Sequence, residues 1–338
     1  MTDRVLVTGG TGFTGSHLVR ALVADGQQVR VLARSTTKAR DLLPTEAEVV
    51  QGDVTDPDVV ERAVSGQDVV YHLAAAFREP EITDERYREV HVAGTRLLLE
   101  AARDAGIGRF VHCSTIGVHG HVENAPADET TRFAPGDIYQ ETKLEGEQLA
   151  LRFHREHDFP VSVARPASIY GPGDLRLLKL FRMIARGRFF MLGSGEVFFH
   201  PVYVEDLVRG FRLLAEKPEA IGEAFILAGE RYLTLNDFTA LIARVLGVPP
   251  PRLRLPVAPF YAAGAVAEKV LIPLGIAPPI YRRRVAFFTK SRAFSTAKAE
   301  RLLEYRPEID LRTGIRSTAT WYHAHGYLPD APSSSSTG

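Results

Sequence analysis

Short apolar runs at 5–8, 29–33, 49–51, 69–73, 110–113 and 161–164 punctuate the first half of the chain, and helix-length segments separate them. Runs without a polar alternate face predict strands covered on both sides, and their alternation with helices predicts a parallel sheet sandwiched between helical layers. Between them, 84–104 and Ile138–His157 place apolar residues at helical spacing, and Gly106 and Gly108 close the first of these helices. Later, 225–227 is strand-like and 235–246 helical, with Thr234 as its N-cap. No internal repeat is present. The expected fold class is α/β: a doubly wound parallel sheet with a smaller, mostly helical C-terminal lobe.

The pattern changes after Gly171-Pro172-Gly173, where basic and aromatic residues become frequent up to Phe190. The expected division is 1–172 plus about 202–232 for the sheet domain, and about 173–201 plus 233–328 for a substrate-facing lobe. The polar tail 329–338 has nothing to bury and is expected to be disordered.

The first strand runs directly into Thr8-Gly9-Gly10-Thr11-Gly12-Phe13-Thr14-Gly15, and a helix-like stretch, 16–23, follows. Strand, glycine turn and helix N-terminus form a phosphate cradle: glycine admits close backbone approach, and the first helical N–H groups face the anion. A tight βα turn with no ligand uses the same residues. Tyr139 and Lys143 stand one turn apart in Ile138–His157, on one helix face. A phenol titrates near pH ~10, so it serves as a proton-transfer group at neutrality only if a neighbouring cation supports its phenolate, as Lys143 would. At the end of the 110–113 strand, Ser114 and Thr115 lie where ligands sit in doubly wound sheets.

Composition narrows the partners. The 338 residues carry 41 basic and 41 acidic side chains without a dominant basic block, which argues against nucleic acid and for a small-molecule substrate. The single Cys113 leaves no internal disulfide, and with the first strand starting near Arg4 the expectation is a cytoplasmic protein. The apolar segment 257–280 is broken by Glu268, Lys269, Pro273, Pro278 and Pro279, so it reads as a core helix followed by a proline-rich loop rather than a transmembrane span. An apolar lid or a membrane-surface contact is the alternative, with Arg282-Arg283-Arg284 beside it. His112, Cys113, His119 and His121 invite a metal, but neighbouring strand residues point to opposite faces, and none is expected.

Taken in order, these motifs resemble the extended short-chain dehydrogenase/reductase superfamily, the NAD-dependent epimerase/dehydratase family, over roughly 3–328. The resemblance implies a dinucleotide held by Gly9, Thr11, Gly12, Phe13, Thr14 and Gly15, with Asp53 and Val54 of Gly52-Asp53-Val54-Thr55-Asp56 at the adenine edge. Leu73, Ala74 and Ala75 of Tyr71-His72-Leu73-Ala74-Ala75 would pack on the cofactor. Pro166 and Ser168 of Arg165-Pro166-Ala167-Ser168-Ile169-Tyr170-Gly171-Pro172-Gly173 would lie beside the nicotinamide. Thr115, with Ser114, falls on the catalytic hydroxyl, and Tyr139 and Lys143 fall on the catalytic pair. His200-Pro201-Val202-Tyr203-Val204-Glu205-Asp206-Leu207 matches a later family stretch. The helices at roughly 84–105 and 136–157 would pair two chains in a homodimer.

Departures sharpen the expectation. Arg34 follows the second strand where NAD-preferring members carry an acid, so the charge favours NADP, with Lys38 nearby; NAD beneath a stacked arginine is the alternative. His91 replaces an asparagine in His91-Val92-Ala93-Gly94-Thr95, and His119 replaces a tyrosine. Ile116 and Gly117 stand where sugar dehydratases carry an acid pair, and Ser168 where many nucleotide-sugar epimerases carry asparagine. The reading is an NADP-dependent alcohol/ketone oxidoreductase on an apolar cyclic molecule, nearest to hydroxysteroid-dehydrogenase-like and dihydroflavonol-reductase-like members. A nucleotide-sugar epimerase with tightly bound NAD, and a non-catalytic dinucleotide-binding regulatory protein, are the rival readings.

Overall fold

A computed structural model describes residues 3–76, 82–271 and 282–328. Seven strands form the main sheet: β1 (Arg4–Thr8), β2 (Gln28–Ala33), β3 (Glu48–Gln51), β4 (Val69–His72), β5 (Arg109–Cys113), β6 (Val161–Pro166) and β7 (Ala224–Leu227). Their order is β7-β6-β5-β4-β1-β2-β3, and every neighbouring pair is parallel. All six residues of β6 are buried, as a strand covered by helices on both faces requires. The strand order reverses between β1 and β4, and such a switch opens a crevice at the strands' carboxyl ends.

Local chemistry sets the helix starts that frame this crevice. Asp56 caps Pro57–Val64 by accepting from the backbone N–H groups of Asp58 and Val59, with proline in the first turn. Asp137 caps Ile138–His157 by accepting from Gln140, and Thr234 caps Leu235–Val245 through Asp237. The expected 84–104 helix is helical throughout but not uniform: Asp84–Arg88 passes into a π turn, Glu89–Ala93, before Gly94–Asp104. The extra residue in that turn places His91 inward, where it proves to have work to do.

A second apolar core unites Leu178–Ala185, Leu235–Val245 and Leu311–Ala324 around Phe181, Phe238, Ile315 and Tyr322. Within the C-terminal stretch that the sequence reading places in this lobe, helix Ala297–Leu303 instead joins the sheet's core, with Ala299 and Leu303 packed there and Lys298 donating to the carbonyl of Ala224. The expected core helix of 257–280 is also different. Val257–Leu271 is helical, but Ala258, Pro259, Tyr261, Ala262 and Ala263 are exposed, so its first turns lie on the surface. Among the described residues no helix is long and apolar enough to cross a membrane. Residues 272–281, the side chains of Arg282, Arg283 and Arg284, and the tail 329–338 lie outside the described part, as do the expectations for them.

Candidate active site

The glycine turn sits at the switch point, and its glycines do different jobs. Gly9 has φ +73°, and a Cβ there would come within 2.7 Å of the Leu73 and Ala74 backbone. A Cβ on Gly15 would meet the Gly9 carbonyl oxygen at 2.2 Å. These two residues let β1, β4 and the helix Phe13–Ala24 converge. A Cβ on Gly12 has a single close protein neighbour, the Gly9 carbonyl at 3.2 Å, and Gly12 itself lines the cavity. With no acidic residue in the first turn of Phe13–Ala24, this cradle fits the pyrophosphate of a dinucleotide.

The cavity, about 420 Å³, brings together residues distant in sequence: Gly9, Gly12, Phe13, Thr14, Gly15, Leu73, Ala75, Ser114, Thr115, Tyr139, Lys143, Pro166 and Ser168. Thr11, Arg34, Asp53, Val54 and Ala74, expected at a cofactor, are not on its wall. Arg34 is exposed immediately after β2, at the rim where the strand ends. The Asp53 carboxylate accepts from Arg86 Nη2 at 2.5 Å and from the Thr55 N–H and hydroxyl, each at 3.1 Å. The Val54 side chain is buried against Gly94, within 3.0 Å of a Cβ built there, which leaves only its backbone to meet a base edge.

Helix Ile138–His157 aligns Tyr139, Lys143 and Glu147 at successive turns. The first two face the cavity. Lys143, 2% exposed, donates from Nζ to the Cys113 carbonyl at the end of β5, at 2.5 Å. Burial pushes its pKa down, while Cys113 and Glu147 pull the other way. Burial likewise pushes the Tyr139 phenol above its ordinary value, reinforced by Cys113, and the cation opposing that rise is Arg176. This differs from the simple expectation of a phenol pulled down by Lys143: the protein's own environment holds Tyr139 as the protonated acid. The Tyr139 ring stands edge-on to His91 at 5.5 Å.

Thr115 and Ser114 separate. Thr115 Oγ1 accepts from the Gly117 N–H at 3.0 Å and lies on the cavity wall, its hydroxyl proton still available. Ser114 is 3% exposed and donates to Glu147 Oε2 at 2.5 Å, so its proton is committed to the protein, and the paired role expected for it gives way to a supporting one. Glu147 is fully buried and also receives Nη2 of Arg165 at 2.5 Å. Arg165 in turn donates from Nη1 to His119 Nε2 at 3.2 Å and lies over the Phe133 ring. His119 therefore serves this buried network as an acceptor rather than the reacting centre. Glu147 was missed at the sequence level, although its place one turn beyond Lys143 was a usable signal.

His91 is equally specific. The Ala76 N–H donates to its Nε2 at 3.0 Å, so the ring proton sits on Nδ1 and reaches Thr142 Oγ1 at 2.8 Å, and Thr142 passes its own proton to the Ile138 carbonyl. His72 continues the pattern, paired with Thr8 Oγ1 at 2.7 Å and Thr95 Oγ1 at 3.0 Å, while Thr8 Oγ1 also accepts from the Ala74 N–H. Neutral imidazoles thus hold the Leu73–Ala76 backbone against the glycine turn. His112 is buried in the sheet with both ring nitrogens lacking partners among the described residues, and His121 Nδ1 accepts from the Ser291 N–H. Among the described residues no three His, Cys, Asp or Glu side chains converge as a metal would need.

Two cationic wall residues were also missed. Arg176 lies over the Phe13 ring and donates to Asp174 and to the Ile169 carbonyl, each at 2.7 Å. Arg292 lines the cavity from a segment whose position no local sequence pattern predicts.

Comparison with known proteins agrees with this arrangement. Residues 5–228 match the model of the NAD dependent epimerase/dehydratase family. A 3 beta-hydroxysteroid dehydrogenase/Delta 5-->4-isomerase of Mycobacterium tuberculosis is 32% identical over 341 residues, 94% of this chain and 90% of that protein. A 4-hydroxy-2-methyl-3-oxo-4-farnesyl-3,4-dihydroquinoline-1-oxide ketoreductase of Stigmatella aurantiaca is 31% identical, covering 92% of this chain and 94% of its own. Among solved structures, an epimerase from Methanothermobacter thermautotrophicus superposes with a TM-score of 0.79 at 28% identity, over 96% of this chain and 93% of that one. With a phosphate cradle at the sheet's switch point and a family match across the whole of that sheet, the chain belongs to the NAD dependent epimerase/dehydratase family and is an NAD(P)-dependent oxidoreductase.

Proposed function

We propose that this oxidoreductase interconverts a secondary alcohol and a ketone on an apolar, cyclic small molecule, with NADP as its dinucleotide. The observation that carries the reading is one cavity wall shared by Tyr139, Lys143, Thr115 and the Gly12 turn. The names of the mycobacterial and myxobacterial relatives support a cyclic substrate. The dinucleotide, when bound, supplies the hydride acceptor or donor. Gly12, Phe13 and Thr14 would hold its pyrophosphate, Lys143 a ribose hydroxyl, and Pro166 and Ser168 its nicotinamide end. Tyr139 Oη exchanges the proton with the substrate oxygen, and Thr115 Oγ1 donates to that oxygen and fixes its distance from the phenol. Ile116, Ile169 and Phe287 give the wall its apolar part.

The test is a panel of cyclic ketones and alcohols run separately with NADPH and NADH, read at the nicotinamide band. Net turnover favouring NADPH is expected. Cofactor retained through purification with no net consumption points instead to an epimerase, and turnover with neither dinucleotide sinks the reading. The NADP preference rests on Arg34, whose guanidinium suits a 2′-phosphate. Arg34→Glu is expected to raise KM for NADPH by about 10–100-fold, the size of a lost charged hydrogen bond, with a far smaller change for NADH. Equal changes for both would remove Arg34 from the phosphate site.

The family arrangement further supports a homodimer through helices Gly94–Asp104 and Ile138–His157, which pack side by side and line a shared outer groove at Arg103, Leu149 and Phe153. Sedimentation at micromolar concentration should give twice the chain mass of 37.3 kDa. A stable monomer there contradicts it.

A further inference from the structure

The charges on the cavity wall do not balance. Four ionisable side chains of fixed sign reach it: Asp137, Lys143, Arg176 and Arg292. Lys143 is tied to the Cys113 carbonyl, and Arg176 is paired with the buried carboxylate of Asp174 at 2.7 Å. Asp137 caps the catalytic helix by accepting from the Gln140 N–H at 2.9 Å. Among the described residues neither Lys143 nor Arg292 has a carboxylate within ion-pair distance, but Lys143 has the Cys113 carbonyl, whereas the Nε of Arg292 is buried without a hydrogen-bond partner.

Its placement is rigid rather than incidental. The Arg292 N–H donates to the Phe198 carbonyl at 2.8 Å. On either side, the Ser291 N–H donates to His121 and the Ala293 carbonyl accepts from Ala127 at 2.9 Å. These bonds fix the main chain at Arg292 and so the point from which its side chain enters the cavity. Burial lowers its pKa, and the facing acid, Asp137, is the one group that opposes this. Lys290, two residues before Arg292, brings its Nζ within 2.8 Å of a Cβ built on Gly136, beside Asp137, so this segment reaches the cavity wall at its Tyr139 side. A buried Nε without a partner is unfavourable in the resting protein, and a bound oxyanion relieves that cost through paired, charge-assisted hydrogen bonds to the half-buried guanidinium.

We propose that Arg292 is the anchor for an anionic group on the substrate, so that the enzyme acts on a cyclic hydroxy or oxo acid, its carboxylate paired with Arg292 and its carbinol or ketone carbon at Tyr139. The proposal rests on the alcohol/ketone reading for the reacting carbon, but the anion site stands on its own geometry. Neutral carbocycles lack the group that pairs with Arg292, so among cyclic substrates the carboxylates have the lower KM.

Two measurements on the full chain with NADPH separate the possibilities. The first is equilibrium binding of cyclohexanecarboxylate, with its methyl ester and methyl phosphonate as companions. The second is turnover of 4-oxocyclohexanecarboxylate against its methyl ester. Carboxylate binding at least tenfold tighter than the ester is expected, with Arg292→Gln abolishing that preference and Arg292→Lys restoring part of it. In turnover the loss appears in KM far more than in kcat. Binding of the phosphonate in place of the carboxylate reassigns the anion and overturns the carboxylic acid assignment. An unchanged preference in Arg292→Gln, or no saturable anion binding at all, overturns the proposal while leaving alcohol/ketone chemistry intact. Arg292-dependent anion binding without turnover of any ketone upholds the site and removes the alcohol/ketone reading instead.

Discussion

Phenylalanine in place of Tyr139 should lower kcat for ketone reduction by about 10²–10⁴-fold, the usual contribution of a positioned proton-transfer group, with NADPH affinity nearly unchanged. The phenol oxygen is the atom removed. The ring and its edge-on contact with His91 remain, so the fold and the cradle at Gly12 are untouched. Because burial holds the phenol above its ordinary pKa, it remains a proton donor throughout neutral pH. Reduction should therefore stay level between about pH 6 and 9, while alcohol oxidation, which needs the phenolate, should climb with pH across that range. A Tyr139→Phe protein retaining half or more of its kcat, or oxidation that falls with rising pH, removes Tyr139 from the proton-transfer role.

Acid should unfold this protein in a range where most proteins of its size are still secure. Burial lowers His72 to about 3, His91 to about 2 and His200 to about 4, and it holds His112 well below 6.5; Lys143 adds to the effect at His72, His91 and His112. The hydrogen bonds explain why these rings must stay neutral. His91 Nε2 accepts from Ala76, and His200 Nδ1 accepts from Phe294, so a second ring proton would break each contact. The unfolded chain takes up these protons below about pH 6.5, and the folded one does not. Stability is thus fully present above pH 6.5 and declines as pH falls toward the folded values. At pH 5 each of His72, His91 and His200 removes about 2 kcal/mol, roughly 6 kcal/mol for the three, against a total of ~5–15 kcal/mol for an ordinary domain, and His112 acts in the same direction. Denaturant titrations at pH 7.5 and pH 5 measure this directly. His112→Leu is a selective control: its ring nitrogens have no partners among the described residues, so neutral-pH stability should change by no more than about 1 kcal/mol while the acid loss shrinks. Equal stability at the two pH values would show that the histidines titrate in the folded state.

Much of this was legible in the chain. The glycine turn, the Tyr139–Lys143 spacing, the bounds of Ile138–His157 and the cap at Thr234 are local, because helix caps and one-turn spacings involve neighbours in sequence. So is the alternation of strands and helices that implies a parallel sheet. Which of two adjacent hydroxyls has its proton taken by the protein was not legible. Ser114 and Thr115 differ only in what lies behind them, and Glu147, 33 residues away, claims the serine. Nor did the sequence indicate that His91 would replace an asparagine by accepting from Ala76, since that contact needs a π turn to bring the ring inward.

The sequence by itself determined the alternation of strands and helices, the glycine turn and the one-turn spacing of Tyr139 and Lys143, since each depends on short-range spacing and backbone freedom. Only the tertiary structure decided how those groups are tuned. It set Tyr139 half-buried on the cavity wall, pinned Lys143 to the end of β5, set neutral histidines under the cradle, and delivered Arg292 from more than 150 residues away to the same wall. Desolvation and charge pairing depend on what converges in space, and local pattern carries no record of that convergence.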